Sequence, residues 1–257
     1  MKTKTVFAAS LLLAGAAFAT ATTVDSSYVL GVMPVTATGK NQVILSIPWV
    51  AEGGATAIAV TNLVKTAGLE ADDTLTWYDT TASKYKQWKV TKNGEVGYWT
   101  PVTVTDDTGS YVTPAENATL LRGQAVVLMR KSTSNPIYVI GQVGASGSVT
   151  TEIEPAASES APKYTLIAPP VASGAVFDLN TASLFTGTIH ANDEITTDVV
   201  NGMPVKFVRN ADNTGWRYVN DLTGTSAKVP AGRGFWYKRC GTGSLSITWT
   251  APATANN

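Results

Sequence analysis

The sequence is short of the side chains that most often carry out chemistry. Its 257 residues include one cysteine, Cys240, and one histidine, His190. A single cysteine excludes an intramolecular disulfide, and a single histidine excludes a metal site built from several imidazoles. Cys240 is expected to be an ordinary thiol at a strand end, although Lys238 and Arg239 precede it and would favour its thiolate. Stability must therefore come from a hydrophobic core.

Charge and long apolar runs are scarce as well. Charged residues make up 15% of the chain, against a typical value of about 25%, and 19 Lys and Arg balance 19 Asp and Glu. This composition gives no basic surface for nucleic acid. Beyond the N-terminal segment, no apolar run approaches the roughly 18 residues that a membrane-spanning helix needs. We therefore expect neither a nucleic-acid partner nor a membrane span.

The N-terminus has the three regions of an export signal. Two lysines precede an apolar and small-residue run over 6–19, which is too short to cross a bilayer. The small-x-small motif Ala17-Phe18-Ala19 predicts cleavage before Thr20, and an overlapping motif predicts cleavage before Thr22. We expect residues 1–19 to be a signal peptide and the mature product to be secreted, periplasmic or at the cell surface.

Most of the remaining chain has the pattern of short β-strands. Runs of β-branched and aromatic residues are closed by Gly, Pro, Asn or Asp. The clearest runs cover 42–47, 74–78, 124–129, 136–140, 163–167, 204–208 and 234–237. Residues 55–69 are loosely amphipathic and fit either one short helix or a strand and a turn. The pattern predicts an all-β protein of the sandwich or barrel type, with at most one or two short helices.

Two stretches of the chain share an ordered set of similar segments. Ser46-Ile47-Pro48 aligns with Ile167-Ala168-Pro169 at an offset of 121 residues, and Asp73 aligns with Asp193 at an offset of 120. The pairs that follow are Lys86 with Lys206 at 120, Trp99 with Trp216 at 117, residues 122–127 with 231–236 at 109, and Ile140 with Ile247 at 107. Offsets that only shrink are what loop deletions in a second copy would produce. We predict a tandem duplication, and chance similarity between two β-rich halves is the alternative.

The region between the two copies has the composition of a linker, because it is small, acidic and proline-bearing. The predicted organisation is a signal peptide (1–19), an N-terminal strand or arm (20–39), a first β-domain (40–148), a linker (149–162), a second β-domain (163–250) and a flexible tail (251–257). The strand or arm pairs either within the first domain or with a neighbouring molecule, since free sheet edges accept added strands.

Three segments carry a resemblance to a known group. The lead Ser27-Tyr28-Val29-Leu30-Gly31-Val32, the strand over 41–48 and the glycine-aromatic element over 230–237 together resemble a poorly characterised group of secreted bacterial β-rich proteins. The resemblance implies a duplicated glycine-aromatic strand domain and no assigned activity. The first copy departs from the pattern, since it has Gly123-Gln-Ala-Val-Val where the second has Gly232-Arg-Gly-Phe-Trp. If this element binds a ligand, only the second copy has its aromatic residues.

Acidic pairs are the remaining candidates for catalysis. They occur at Asp72-Asp73, Asp106-Asp107 and Asp193-Glu194. A glycosidase needs two carboxylates about 5–9.5 Å apart across a cleft, whereas neighbours on a chain bend point apart. Turn formation and solubility explain these pairs better, and His190 is expected to be solvated or to cap its own turn. We predict no catalytic residue, no metal ligand and no cofactor.

Aromatic residues are crowded in the first half, where six Trp and Tyr lie within 77–99. Such rings fill β-sandwich cores and also stack on sugar rings. Successive residues of a strand face opposite sides, so Trp77 and Tyr78 must diverge and some rings should be exposed. The candidate ligand-binding residues are Trp77, Tyr85, Trp88, Tyr98, Trp99 and Phe235.

The glycines before the last aromatic strand predict a structural corner. Gly232 and Gly234 stand where a left-handed residue, a bulge or a close backbone approach is common. Alternation puts Phe235 and Trp236 on opposite faces of the strand. Because Trp236 aligns with the apolar Val127, we expect Trp236 to lie in the core and Phe235 at the surface.

These observations favour a secreted, non-enzymatic structural or surface protein that contacts itself or other envelope proteins. A carbohydrate-binding module that uses the first-half aromatics to hold a polysaccharide is the alternative. A glycan hydrolase is a third and weaker hypothesis.

Overall fold

A computed structural model shows the chain as a set of antiparallel β-sheets. It describes residues 21–22, 29–35, 42–46, 57–59, 68–79, 84–94, 96–105, 111–112, 119–121, 123–131, 137–142, 147–169, 176–181, 184–200, 203–210, 212–220, 227–230 and 232–251. No residue in these ranges is helical, which confirms the all-β class. The predicted signal peptide, the Asp106-Asp107 pair and residues 252–257 lie outside them.

The first half contains twelve of the described strands. They are β1 (Ala21–Thr22), β2 (Val29–Val35), β3 (Gln42–Ser46), β4 (Ala57–Ala59), β5 (Thr74–Asp79), β6 (Lys84–Asn93), β7 (Val96–Val102), β8 (Val104–Thr105), β9 (Tyr111–Val112), β10 (Thr119–Leu121), β11 (Ala125–Met129) and β12 (Ile137–Gln142). Residues 55–69, for which the sequence predicts either a short helix or a strand and a turn, include β4.

The second half contains ten described strands. They are β13 (Gly147–Ile153), β14 (Lys163–Ile167), β15 (Val176–Asp178), β16 (Phe185–Gly187), β17 (Glu194–Val200), β18 (Met203–Arg209), β19 (Trp216–Tyr218), β20 (Lys228–Pro230), β21 (Phe235–Arg239) and β22 (Leu245–Ala251).

Each half is built on a five-stranded sheet with the same strand order. The first sheet runs β3-β11-β5-β6-β7 and the second runs β14-β21-β17-β18-β19. The smaller sheets correspond as well, because β10 pairs with β4 as β20 pairs with β15, and β12 pairs with β2 as β22 pairs with β13. This is the arrangement that the predicted duplication requires, and the duplication itself stays a prediction.

The strand registers define which positions of the two halves are equivalent. Val127 pairs with Ile44 and Thr76, and Trp236 pairs with Leu166 and Thr196. The offsets of 109 between β11 and β21 and 120 between β5 and β17 agree with the sequence alignment. For β3 and β14 the registers give 122 instead of 121, which makes Ser46 rather than Ile47 the equivalent of Ala168.

Strand pairing shows to which half two of the predicted segments belong. β2 pairs with β12 from Val35 opposite Ile137 to Leu30 opposite Gln142, so this part of the N-terminal lead is a strand of the first half. β13 pairs with β22 from Gly147 to Ile153, so residues 149–153 of the predicted linker are a strand of the second half. The small, acidic and proline-bearing composition of the region predicted a linker there, but pairing with β22 makes these residues a strand.

Each half has its own hydrophobic core on one face of its five-stranded sheet. Leu75, Trp88 and Leu128 are among the fully buried residues of the first core, as are Phe235 and Tyr237 in the second. β11 is buried along most of its length because its other face, with Ala125 and Val127, is covered as well. That second covering comes from the other half of the chain.

Candidate functional site

The three tryptophans among the candidate ligand-binding residues lie in the core of the first half. Trp77, Trp88 and Trp99 are 4%, 0% and 8% exposed. The rings of Trp77 and Trp88 are stacked, with centroids 4.1 Å apart and planes 6° from parallel. The carbohydrate-binding alternative requires exposed tryptophans, and that expectation is wrong for these three, because β5, β6 and β7 turn the Trp-bearing side of the sheet inward.

Phe235 and Trp236 have the opposite placement to the predicted one. Phe235 is 0% exposed and belongs to the second core, where its ring lies 6.3 Å from that of Trp249 in an edge-to-face contact. Trp236 is partly buried and packs outside that core. Alternation correctly put the two rings on opposite faces, but the apolar face of Val127 and Trp236 is turned toward the other half rather than into the domain's own core.

The two tyrosines among the candidate ligand-binding residues are exposed, but they are far apart. Tyr85 is 43% exposed and Tyr98 is 49% exposed. Tyr98 lies opposite Thr91 on the neighbouring strand, six positions from Tyr85. At a rise of about 3.3 Å per residue, this separates the two rings by about 20 Å along the sheet. Of the six candidate residues, the structure therefore exposes two and brings no two of the exposed ones together.

Tyr85 instead joins an aromatic cluster that bridges the halves. Its ring lies 5.1 Å from that of Tyr78 and 6.1 Å from that of Trp236, with both contacts close to edge-to-face. Burial raises the pKa of the Tyr85 phenol, and the nearby phenols of Tyr78 and Tyr164 raise it further. Only Tyr85 of this cluster was among the predicted site residues, since Tyr78, Tyr164 and Trp236 come together through contacts between the halves.

An apolar patch, which we name the joint cluster, lies beneath these rings. It consists of Ile44, Ala125 and Val127 from the first half and Leu166 and Ala168 from the second, with Trp236 packed against it. All the residues of β3, β11, β14 and β21 in this patch point away from their own cores. The joint cluster thus holds the two five-stranded sheets together by their outer faces.

Backbone hydrogen bonds cross the joint in addition to the apolar contacts. The Ser46 N–H donates to the Gly232 carbonyl at 3.1 Å, and the Ala168 N–H donates to the Gly123 carbonyl at 3.2 Å. Gly232 and Gly123 both have positive φ, at 77° and 87°, where a residue with a Cβ would be strained. The predicted corner before β21 is confirmed, and the first half has the same corner before β11.

A buried ion pair ties strand ends together in the second half, and we name it the second clamp. The Asp193 carboxylate is 0% exposed and accepts hydrogen bonds from Arg239 Nη1 at 2.6 Å and from the Tyr237 hydroxyl at 2.8 Å. It also accepts the backbone N–H groups of His190 at 3.0 Å and Cys240 at 2.6 Å. Burial, followed by the Asp193 charge, raises the pKa of Tyr237 far above its usual range, so this hydroxyl stays a donor.

The first half has the same arrangement, which we name the first clamp. Asp73 is 0% exposed and accepts the backbone N–H groups of Glu70 and Lys131, each at 2.8 Å. Its carboxylate faces the Arg130 guanidinium at 3.6 Å, and both side chains are fully buried. The Arg130 Nη2 group donates to the Gly68 carbonyl at 2.7 Å. Each clamp joins the loop before a central strand to the end of its neighbour.

The sequence contained a signal for both clamps that the prediction missed. Asp73 and Asp193 were aligned, and Arg130 and Arg239 stand at the same offset of 109 as the segments that precede them. The expectation that these acidic pairs are solvated is wrong for Asp73 and Asp193, which are buried. It holds for Asp72, an exposed turn residue with φ of 67° and an ion pair to Lys131 at 2.9 Å.

His190 and Cys240 both lie in the loop region around the second clamp. The His190 ring bonds to Glu159 at 2.9 Å and accepts the Asn192 N–H at 3.2 Å, so it closes its own turn. The Cys240 thiol is 3% exposed and donates to the Asn192 carbonyl at 3.2 Å. Burial raises the pKa of Cys240 in spite of the nearby Lys238, which acts to lower it. The thiolate that the basic neighbours suggested is therefore disfavoured.

The described ranges contain no group of three or more His, Cys, Asp or Glu side chains placed to hold a metal ion. They also contain no helix long and apolar enough to cross a membrane. No family model matches the chain, and neither a curated protein nor a solved structure matches it. The fold and the joint therefore define a class by architecture alone: an all-β chain of two clamped sheets packed by their outer faces.

Proposed function

We propose that the mature chain is a secreted, non-enzymatic structural or surface protein that acts through contacts with other proteins, including copies of itself. The use made of its buried charges is the observation that carries this proposal. Asp73 and Asp193 are the buried carboxylates of the described residues, and both are fully engaged in holding strand ends. Removing one partner of a buried ion pair is strongly destabilising, so these two pairs support a role for the charges in the frame of the fold.

An edge strand of the first half supports the proposed contacts. Among the described strands, β7 is the last in the order of its sheet, and Val96 and Tyr98 on it are 70% and 49% exposed. The corresponding strand of the second half, β19, is only three residues long. Long edge strands with exposed apolar side chains favour added strands from other chains, whereas very short ones do not.

Polysaccharide binding is the second candidate, and the exposure of Tyr85 and Tyr98 favours it. The two side chains are 43% and 49% exposed, and aromatic rings at a surface can stack on sugar rings. The support is smaller than the sequence suggested, because the three tryptophans of the same region are buried.

Size-exclusion chromatography with light scattering on the purified mature chain, together with retention on insoluble glycans, separates these functions. We expect a mass that rises with protein concentration, a fall in that association on Val96→Lys, and no fall on Val176→Lys. Val176 is a matched control, since it is 59% exposed but lies in a two-stranded sheet elsewhere. A monomer at all concentrations that is retained on glycan, and released by Tyr85→Ala or Tyr98→Ala, would contradict the proposal.

A further inference from the structure

The two faces that meet at the joint are the same face of the two halves. By strand register, Ile44 is equivalent to Leu166 and Val127 is equivalent to Trp236. All four belong to the joint cluster or pack on it. Each half therefore contributes equivalent positions to the contact, which is the property of an interface with twofold symmetry.

The backbone contacts across the joint are reciprocal in the same way. Ser46 donates to Gly232, and its equivalent Ala168 donates to Gly123, which is the equivalent of Gly232. Two isolated β-bridges repeat the relation, since Leu45 pairs with Arg233 and Gln124 pairs with Ile167. Reciprocal pairs of this kind arise when two similar bodies are related by rotation through half a turn, and they do not arise from a head-to-tail contact.

One pair of equivalent residues faces itself across the joint. Ala125 lies two positions before Val127, and Gly234 lies two positions before Trp236. A Cβ on Gly234 would stand 2.8 Å from the Cβ of Ala125. It would also stand 2.8 Å from the Ile44 side chain and from the Ile167 carbonyl oxygen. Equivalent residues touch one another only next to a twofold axis, so the axis passes between these two.

We infer that the joint is a quasi-twofold interface, a face that recognises the same face on a second domain of the same kind, with Ala125 opposite Gly234 at its axis. Two alanines at the axis would clash, so the glycine selects pairing of the first half with the second over pairing of two first halves. A twofold contact is closed, because each face is used up by the other. Any assembly of whole chains must then use a different surface, such as the β7 edge.

A double substitution in the full mature chain tests this inference. Gly234→Ala should lower the urea midpoint, because it places two methyl groups in the space of one. Adding Ala125→Gly should regain part of that loss, because it removes the contact between the two methyl groups, while the close approaches to the Ile44 side chain and the Ile167 carbonyl oxygen remain. Gly243→Ala is the matched control and should leave the midpoint unchanged, since a Cβ there meets nothing within 4 Å.

The inference is overturned if the double variant is no more stable than Gly234→Ala, including the case in which neither folds. A second measurement does not depend on these variants. A protease site that replaces residues 143–146 cuts the chain between β12 and β13, and the two fragments should still elute as one particle. Fragments that elute separately would show that the connection, and not the joint, holds the halves together.

Discussion

The two halves have the same clamp, but its side-chain part differs. Both carboxylates accept two backbone N–H groups, from Glu70 and Lys131 in the first half and from His190 and Cys240 in the second. The second clamp adds a hydroxyl, Tyr237, where the first half has an aliphatic residue, and its Arg–Asp contact is 2.6 Å rather than 3.6 Å. The two clamps share the hydrogen bonds from backbone N–H groups to the carboxylate. We infer that each clamp serves to hold strand ends together.

Breaking the clamps should give the largest effects and should rank them. Asp193→Ala is expected to destabilise the chain by about 3–5 kcal/mol, because it leaves the buried Arg239 without its partner. Asp73→Ala should cost less, since the longer contact with Arg130 gives less to lose. Urea unfolding of the two variants measures both values. Equal losses would mean that the hydroxyl and the shorter contact add nothing.

The opposite faces of β21 give the next comparison. Phe235→Ala should cost about 3–5 kcal/mol, as for other fully buried large aromatics, because it opens a cavity in the second core. Trp236→Ala should cost less, because that ring is only partly buried at the joint. Thermal melts of the two variants decide the order, and a larger loss for Trp236→Ala would restore the placement that the sequence predicted.

A smaller effect is expected from the hydroxyl that distinguishes the two clamps. Tyr237→Phe keeps the ring and removes the hydrogen bond to Asp193, which should cost about 1.5–3 kcal/mol for a bond to a charged group. Urea midpoints of Tyr237→Phe alone and combined with Asp193→Ala measure the coupling. Full additivity of the two losses would contradict a direct interaction.

The smallest effect concerns a partly buried group of charges around Glu194, whose equivalent in the first half is the uncharged Thr74. Burial opposes the charge on Glu194, but hydrogen bonds from Lys206 and Lys238 outweigh it and lower the pKa of its carboxyl. A lowered folded-state pKa gives stability that is present above the unfolded value of about 4.3 and is lost as pH falls through the folded value. Urea unfolding at the two pH values is expected to show that Glu194→Gln costs about 0–1 kcal/mol at pH 7 and nothing near pH 2.

Local patterns predicted the strands, but they did not predict which face of a strand is inward. Period-two alternation separated Phe235 from Trp236 correctly, because alternation is a property of one strand. It did not show that both faces of β21 are covered, one by its own core and one by the other half. The same limit explains Trp77 and Trp88, whose burial depends on the sheet as a whole.

The clamps and the aromatic cluster were harder still, because they depend on residues distant in the chain. Asp73 next to Asp72 has the composition of an exposed turn, and only the distant Arg130 and Lys131 make it a buried group. Tyr85 and Trp236 meet across the joint, and no spacing in the sequence predicts that contact. The shared offsets were the one signal in the sequence that related these distant residues.

The clamps also set the order in which the chain can acquire its structure. Asp73 and Lys131 are 58 positions apart, and Asp193 and Arg239 are 46 apart. Contacts of such sequence separation form slowly, because a long loop must close before they contribute. Because a chain is synthesised from its N-terminus, the first sheet cannot form before β11 is made. The joint cannot form before Gly232 is made. The first sheet can therefore close once about half of the chain has emerged, whereas the joint stays open until the chain is nearly complete.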